Sequence, residues 1–240
     1  MKSKKNLSLI IIPTYNEQKN IKLIINKIKK NLSLNYNVLF VDDNSNDGTK
    51  EILKKIKNKK ISYIIRNQKL GIGSAHKFGI KIGYKLNYRY IITLDCDGTH
   101  DPKFINNMLK KIHTNDMVIT NRFAKKNSLK EWSFYRKFIT SLRHIFVCYI
   151  FGVDLDSSGA FRIYDTQKIK VSDILKAKND GYSFFTESTI ILNKLYKIGQ
   201  IPILLPKRYS GYSKMRLTDI VFGFFDILFL YIKNKWKKFT

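Results

Sequence analysis

Asp95 and Asp97 stand one residue apart in "LDCDGTHDP" (Leu94–Pro102), directly after the apolar run "YIIT". Two carboxylates at this spacing converge on a divalent cation when the chain leaves a strand and turns at Gly98. Oxygen donors of this kind suit Mg²⁺ or Mn²⁺, which keep several waters and share a substrate's phosphates. The pattern is short, and an acidic turn without an ion is its plain alternative.

A second acidic site is "VDDNSNDGT" (41–49), with Asp42 and Asp43 side by side at an expected strand end. Helix capping by Ser45, Asn46 or Asp47 accounts for part of this stretch. It does not account for Asp42 and Asp43, which repel each other unless a ligand or a donor faces them. One of them is placed to accept hydrogen bonds from a ribose or a base. The glycine-rich "GIGSAH" (71–76) precedes a helical segment and offers a weaker phosphate-approach signal.

Only eight of the 45 basic residues are arginine, so each Arg is harder to assign to background composition. Guanidinium matches phosphate oxygens in a fork that lysine lacks. Arg122, after "MVITN", and Arg208, in "KRYSGYSK", are expected to border a polar crevice; Arg66, Arg89 and Arg143 are assigned to background. Of the histidines, His100 is either a contact near the acidic turn or a turn residue, whereas His76, His113 and His144 read as structural or exposed.

These residues need a scaffold, and the chain supplies a repeating one. Short β-rich runs alternate with lysine-studded segments of helical period from Leu7 to Phe123, and Ile21, Ile24, Ile25 and Ile28 form one apolar stripe on the first such segment. Alternation of this kind implies βαβ units and a mostly parallel, Rossmann-like sheet flanked by helices, with ligands beyond the carboxyl ends of the strands. "PTYNE", "VDDNSNDGT", "RNQKLGIGSAH" and "DCDGTHDP" therefore fall on one edge. After Phe123 the expectation is a helix in "EWSFYRKFITSLRHIFVCYIFG", a strand in "SSGAFRIYD", a helix in "FTESTIILNKLYKIG" and a strand in "QIPILLPKRY".

At 240 residues the chain is long enough for one large α/β domain with an appendage. The net charge of +27 attracts anionic surfaces of any kind. Its lysines are scattered rather than gathered on a face with interleaved aromatics, which argues against a nucleic-acid partner. Two cysteines, Cys96 and Cys148, give no disulfide framework, so a reducing compartment is expected. The apolar run at the N-terminus breaks at Pro13, too short for a signal sequence, and no stretch reaches the ~18 apolar residues of a membrane span. The tail from Leu217 to Ile232 would be about 24 Å long as a helix and is interrupted by Asp226. It is expected to lie in a membrane interface, with Trp236 and the terminal lysines toward headgroups, or else to pack on the domain; Phe138–Phe151 is a candidate for a second interfacial helix.

Taken in order, "IIPTYNE", "VDDNSNDGT", "LGIGSAH" and "LDCDGTHDP" resemble the family 2 glycosyltransferases of the GT-A fold. The later "SSGAFRIYD", "FTEST", "IPI" and "KRYSGYSKM" are similar to the dolichyl-phosphate (polyprenyl-phosphate) mannosyltransferase branch, and the likeness covers about Leu7 to Met215. The resemblance implies a GT-A domain over 1–215 and a membrane-interface helix over 216–240. It implies that Pro13, Tyr15, Glu17, Asp42 and Asp43 line the nucleoside side of the donor site, and that Asp95-Cys96-Asp97 carries the metal, through Asp95 and Asp97, on the donor diphosphate. Asp97, Arg122, Arg136, Arg208 and Lys214 are the implied catalytic set, the basic residues gathering around an acceptor phosphate. Two departures stand out: Thr99 occupies a position where the branch commonly has Gln, and "DLDSSGAFR" is one residue longer than usual near Asp156. The implied reaction is inverting transfer of a hexose, most simply mannose from GDP-mannose, to a polyprenyl phosphate at the cytoplasmic face of a membrane. Another nucleotide sugar such as UDP-glucose, or an acceptor other than a lipid, is the alternative within the family.

Overall fold

A computed structural model describes residues 7–33, 35–211 and 217–236. The chain runs β1 (Ser8–Thr14), α1 (Gln18–Asn31), β2 (Tyr36–Asp42), α2 (Thr49–Lys54), β3 (Ile61–Ile65), α3 (Ile72–Lys85), β4 (Tyr90–Thr93), α4 (Ile105–Ile112) and β5 (Met117–Asn121). It continues with α5 (Phe134–Phe151), β6 (Arg162–Asp165), α6 (Val171–Ile174), α7 (Ser183–Asn193), β7 (Ile198–Pro202) and α8 (Leu217–Trp236).

Strand β1 shows why the sheet is a middle layer. Its residues are apolar on both sides: Ile10 and Ile12 join Ile21, Ile24, Ile25 and Ile28 of α1, while Leu9 and Ile11 join Ala75 and Ile80 of α3. A strand without a polar face must be covered twice, which is the signature of a parallel sheet between helices. The order is β3-β2-β1-β4-β6-β5-β7. β1, β2, β3 and β4 are mutually parallel and β7 is parallel to β5, as the alternation predicts, but β6 runs antiparallel to both β4 and β5.

That reversal positions the site. Because β6 is inverted, its first residue, Arg162, pairs with Thr93 at the carboxyl end of β4. The loop before β6 therefore reaches the same edge as the loops after β1, β2, β4 and β5. β7 ends beside β5, with Pro202 opposite Asn121, so the segment carrying Arg208 joins them there. β1 lies between β2 and β4, with α1 covering one face and α3, which leads from β3 into β4, the other, and the resulting switch point is where an open α/β sheet binds ligands.

Arg162 is wholly buried and has no acidic partner among its hydrogen bonds. It donates to the carbonyls of Ser157, Gly159 and Phe185 and to Ser188 Oγ at 2.7–2.9 Å, so its charge is solvated by fixed dipoles.

His76 of α3 is buried in full, edge-on to Phe185 at 5.0 Å, and neither ring nitrogen has a partner among the described residues. Burial, with the charges of Arg162 and His100, pushes its pKa down to about 3. The unfolded chain takes up a proton near pH 6.5 that the folded chain refuses, so this residue lowers stability as pH falls below 6.5. The expected loss between pH 8 and pH 5 is about 2 kcal/mol. Urea melts at the two pH values should show that difference in the parent and a smaller one in His76→Leu.

Candidate active site

The acids at the end of β2 find their donors inside the chain. Asp42, wholly buried, accepts from Thr14 Oγ1 (2.9 Å), Ser45 N (2.9 Å) and Ser45 Oγ (2.6 Å). Asp43 accepts from the backbone N–H groups of Leu70 and Gly71 and forms an ion pair with Arg66. Their mutual repulsion is thus resolved without a ligand, and Arg66, assigned to background from the sequence, is the counter-ion. Glu17 is buried and accepts from Asn20 Nδ2 at 2.5 Å. Of the nucleoside set, Pro13 and Tyr15 remain half-exposed, with Lys69 lying 4.0 Å above the Tyr15 ring.

The glycines of "GIGSAH" serve packing rather than an open phosphate cradle. A Cβ on Gly71 would lie 2.5 Å from the Asp180 carbonyl, and one on Gly73 2.6 Å from the Gly181 carbonyl. They let α3 start against the segment before α7. Glu187, on α7, accepts from the Asn179 N–H in that segment.

At the acidic turn, Asp97 Oδ1 accepts from Thr99 N (2.9 Å) and Thr99 Oγ1 (2.6 Å), and Asp97 Oδ2 meets Arg208 Nη1 at 2.5 Å. Thr99 therefore braces Asp97. Asp95 has 29% of its side chain open to solvent, although protein surrounds it on most sides. Burial raises its pKa, and Asp97 adds to that, against the lowering pull of His100, Arg208 and Arg122. His100 Nδ1 accepts the Asp95 N–H at 3.0 Å and lies 3.5 Å from the Asp95 carboxylate. Cys96, between the two acids, is 2% exposed and belongs to the apolar core.

The loop after β7 closes over this turn. Tyr209 N donates to the Asp97 carbonyl (2.9 Å), Asn20 Nδ2 donates to the Ser210 carbonyl (3.3 Å), and Lys27 lies 4.8 Å above the Tyr209 ring. The ring packs on Gly98, which has φ +84° and whose added Cβ would stand 2.3 Å from it. Gly98→Ala is expected to displace Tyr209 and loosen Arg208 from Asp97, costing about 1–3 kcal/mol through strain at positive φ. Thermal melts together with turnover measure it, and an unchanged variant would show that the loop position is incidental.

Three arginines from distant positions converge here. Arg122, after β5, holds Asp156 in a fork (Nε–Oδ2 2.7 Å, Nη2–Oδ1 2.8 Å) and donates to Ser158 Oγ at 2.7 Å. Burial alone would lower the Arg122 pKa, but Asp156, with Asp95 beyond it, outweighs that and keeps it raised. Arg136, in the first turn of α5, lies 3.8 Å over the Trp132 ring and makes no ion pair among the described residues. Burial lowers its pKa, and the like charges of Arg208 and Arg122 lower it further. A concentration of guanidinium charge that depresses one of its own members favours an anion among them. Lys214 lies outside the described residues.

Sequence reasoning missed Asp156 as the Arg122 partner and the whole role of Arg162. Arg162 fixes the carbonyls of Ser157 and Gly159 on either side of Ser158, and Ser158 in turn supports Arg122. The scarcity of arginine pointed at this residue as much as at Arg122 and Arg208.

The donor set fits a hard divalent cation. Asp95 and Asp97 are two carboxylates at one strand end, and the Asp95 charge is disfavoured chiefly by desolvation, with Asp97 adding to it, a cost that a bound cation offsets.

Comparison with known proteins places this geometry in context. The model of a family described as glycosyl transferase family 2 matches residues 9–172. A polyprenol monophosphomannose synthase of Mycolicibacterium smegmatis is 26% identical over 92% of this chain and 85% of that protein. A UDP-N-acetylglucosamine–dolichyl-phosphate N-acetylglucosaminyltransferase of Methanococcus voltae is 31% identical over 91% of this chain and 92% of that protein. Among solved structures, glucosyl-3-phosphoglycerate synthase from Mycobacterium tuberculosis, in complex with Mn²⁺, UDP and phosphoglyceric acid, superposes with a TM-score of 0.62 at 15% identity, covering 86% of this chain and 72% of that one.

Proposed function

The chain belongs to glycosyl transferase family 2, and we propose that it transfers a hexose, mannose from GDP-mannose, to a polyprenyl phosphate with inversion at the anomeric carbon. The observation that carries this reading is the convergence of Arg122, Arg136 and Arg208 beside the Asp95/Asp97 turn: a leaving-group site and an anion site in contact. An acceptor phosphate oxygen forms the new bond to the anomeric carbon as the bond to the donor diphosphate breaks, releasing nucleoside diphosphate. A phosphate monoester is largely a dianion at neutral pH, its second pKa being about 6, so no side chain has to remove a proton. That agrees with His100, whose Nδ1 is committed to the Asp95 N–H.

Asp95 and Asp97 are the residues that would hold Mg²⁺ or Mn²⁺, and the ion would stabilise charge on the departing diphosphate. Pro13 and Tyr15 face the nucleoside, with Asp42, Asp43 and Glu17 shaping the loops behind them. Arg136, which has no ion pair among the described residues, is the first anchor for the acceptor phosphate.

The acceptor has to be met at a lipid surface. No helix among the described residues is long and apolar enough to cross a membrane. α8 instead buries Ile227 and Gly223 while exposing Phe222, Phe225, Phe229 and Ile232, spaced three and four residues apart. It lies along α5 through a Phe146–Phe224 contact of 4.9 Å, and α5 exposes Phe134, Phe138, Ile145 and Tyr149. Asp226, which interrupts the apolar run, accepts from Asn179 Nδ2. The two helices form a peripheral docking surface for the cytoplasmic face of a membrane. Phe222→Ser/Phe225→Ser/Phe229→Ser is expected to reduce co-sedimentation with anionic vesicles several-fold; undiminished binding would remove the surface.

The decisive assay incubates the protein with polyprenyl phosphate and Mn²⁺ and, in parallel, radiolabelled GDP-mannose and UDP-N-acetylglucosamine, followed by lipid extraction. Label in lipid from GDP-mannose is the expected result. Label only from UDP-N-acetylglucosamine would move this chain toward its 31%-identical relative, the specific observation behind that second reading. Label in neither lipid fraction would end the lipid-acceptor proposal.

A further inference from the structure

α5 carries a second cluster of metal-ligating side chains that the proposed transfer does not use. His144 and Cys148 are four residues apart on this helix and so share a face. The helix stops at Gly152, which adopts φ +64° and returns its N–H to the Cys148 carbonyl, and the chain turns back to bring Asp154 alongside. One ligand atom from each of the three lies within 4.8 Å of the others, and Cys148 Sγ is 3.8 Å from both His144 ring nitrogens.

We propose that His144, Cys148 and Asp154 form a binding site for a divalent transition ion of the zinc class. In a tetrahedral site with Zn–S of about 2.3 Å and Zn–N of about 2.0–2.1 Å, sulfur and nitrogen stand roughly 3.6 Å apart. The observed 3.8 Å is close to that separation, but it is equal to Nδ1 and Nε2, so binding also turns the imidazole to aim one nitrogen at an ion beside Sγ. The imidazole is stacked on the Phe123 ring at 4.0 Å with the planes 5° apart. His144 and Cys148 are half-buried and Asp154 is exposed, so an ion has both a partly dry seat and a way in. The fourth position falls to water, as in open three-ligand sites.

The donor set also separates this site from the first. Thiolate and imidazole select zinc, cobalt or similar ions, whereas the all-oxygen pair Asp95 and Asp97 suits Mg²⁺ or Mn²⁺. Cys148 now donates its S–H to the Val153 carbonyl at 3.3 Å. Binding replaces that proton by the metal and releases it to solvent; thiolate and carboxylate together balance the divalent charge. The ion would tie the end of α5 to the turn that leads into Asp156, and so brace the partner of Arg122.

Titration of the full chain with Co²⁺ alone, followed by absorption, tests the site, because only a thiolate ligand gives the near-ultraviolet sulfur-to-cobalt charge-transfer band. One equivalent of Co²⁺ should produce that band, and Zn²⁺ should abolish it where excess Mg²⁺ does not. Cys148→Ser should remove the band, His144→Ala should weaken binding tenfold or more, Asp154→Asn should weaken it several-fold, and Asp97→Asn should leave it intact. Absence of the band in the parent overturns the proposal, as does a band that survives Cys148→Ser or an affinity unchanged in His144→Ala. If Cys148→Ser does not fold, the His144 and Asp154 variants decide by the same criteria.

Discussion

Asp97→Asn is expected to reduce sugar transfer by about 10²- to 10³-fold, the usual cost of losing one preorganised electrostatic contact to a transition state. Asparagine keeps the shape and can still accept both Thr99 hydrogen bonds through its Oδ1. It then presents an NH₂ group to Arg208 Nη1, donor against donor, where the parent has a 2.5 Å ion pair. The variant therefore removes a charge and unfastens the loop over the acidic turn, and these two effects have to be separated. Arg208→Ala unfastens the loop and leaves the carboxylate. If Asp97 served only as the counter-ion of Arg208, Mn²⁺-dependent binding of GDP, which does not engage the acceptor site, would be the same in the two variants. If Asp97 also carries a cation for the donor, Mn²⁺-dependent binding of GDP is lost in Asp97→Asn and retained in Arg208→Ala. An Asp97→Asn protein that labels lipid as fast as its parent would refute the role.

Much of the scaffold is legible in the sequence because burial on both sheet faces leaves a mark. The apolar β1 run and the isoleucine stripe of α1 have no other solution than a covered strand and a covering helix. The edge carrying the loops follows from strand direction alone. What periodicity does not carry is the inversion of β6, since an antiparallel strand of four residues reads like a parallel one. That inversion is what delivers Asp156 and Ser158 to Arg122.

The acids were visible and their partners were not, for a physical reason. Asp42 and Asp43 announce an electrostatic problem, but whether a ligand or the chain solves it depends on contacts 27 or 28 residues away, from Thr14, Leu70 and Gly71. Arginine was the better guide than acidity. Arg66, Arg89 and Arg143 looked like background, yet Arg66 pairs with Asp43, Arg89 with Asp165 at 2.7 Å, and Arg143 donates to Thr186 Oγ1 at 2.6 Å. In a chain that otherwise uses lysine, Arg66, Arg122 and Arg162 stand where a planar fork makes several contacts at once.

Asp156→Ala is expected to destabilise the fold by about 3–5 kcal/mol, the cost of leaving one partner of a buried ion pair uncompensated. Asp156 is 2% exposed and the Arg122 side chain 12%, so water can do little to replace the lost carboxylate. The Arg122 backbone N–H also loses its acceptor, Asp156 Oδ2 at 3.0 Å. Urea denaturation at pH 7 should show the full effect, and Arg122→Met with Asp156→Leu should recover most of it, because removing both charges removes the desolvation that each imposes on the other. The pH dependence has a defined sign. Burial raises the Asp156 pKa, but Arg122 outweighs it and holds the carboxyl below the ordinary carboxylate range. Its contribution is therefore complete above the unfolded value of about 3.9 and disappears as pH falls through the lower folded value. The parent and Asp156→Ala should converge only in that acid window. A single variant that costs less than about 1 kcal/mol at pH 7, the range of an exposed pair, would mean that Arg122 finds another anion and that Asp156 does not set its position.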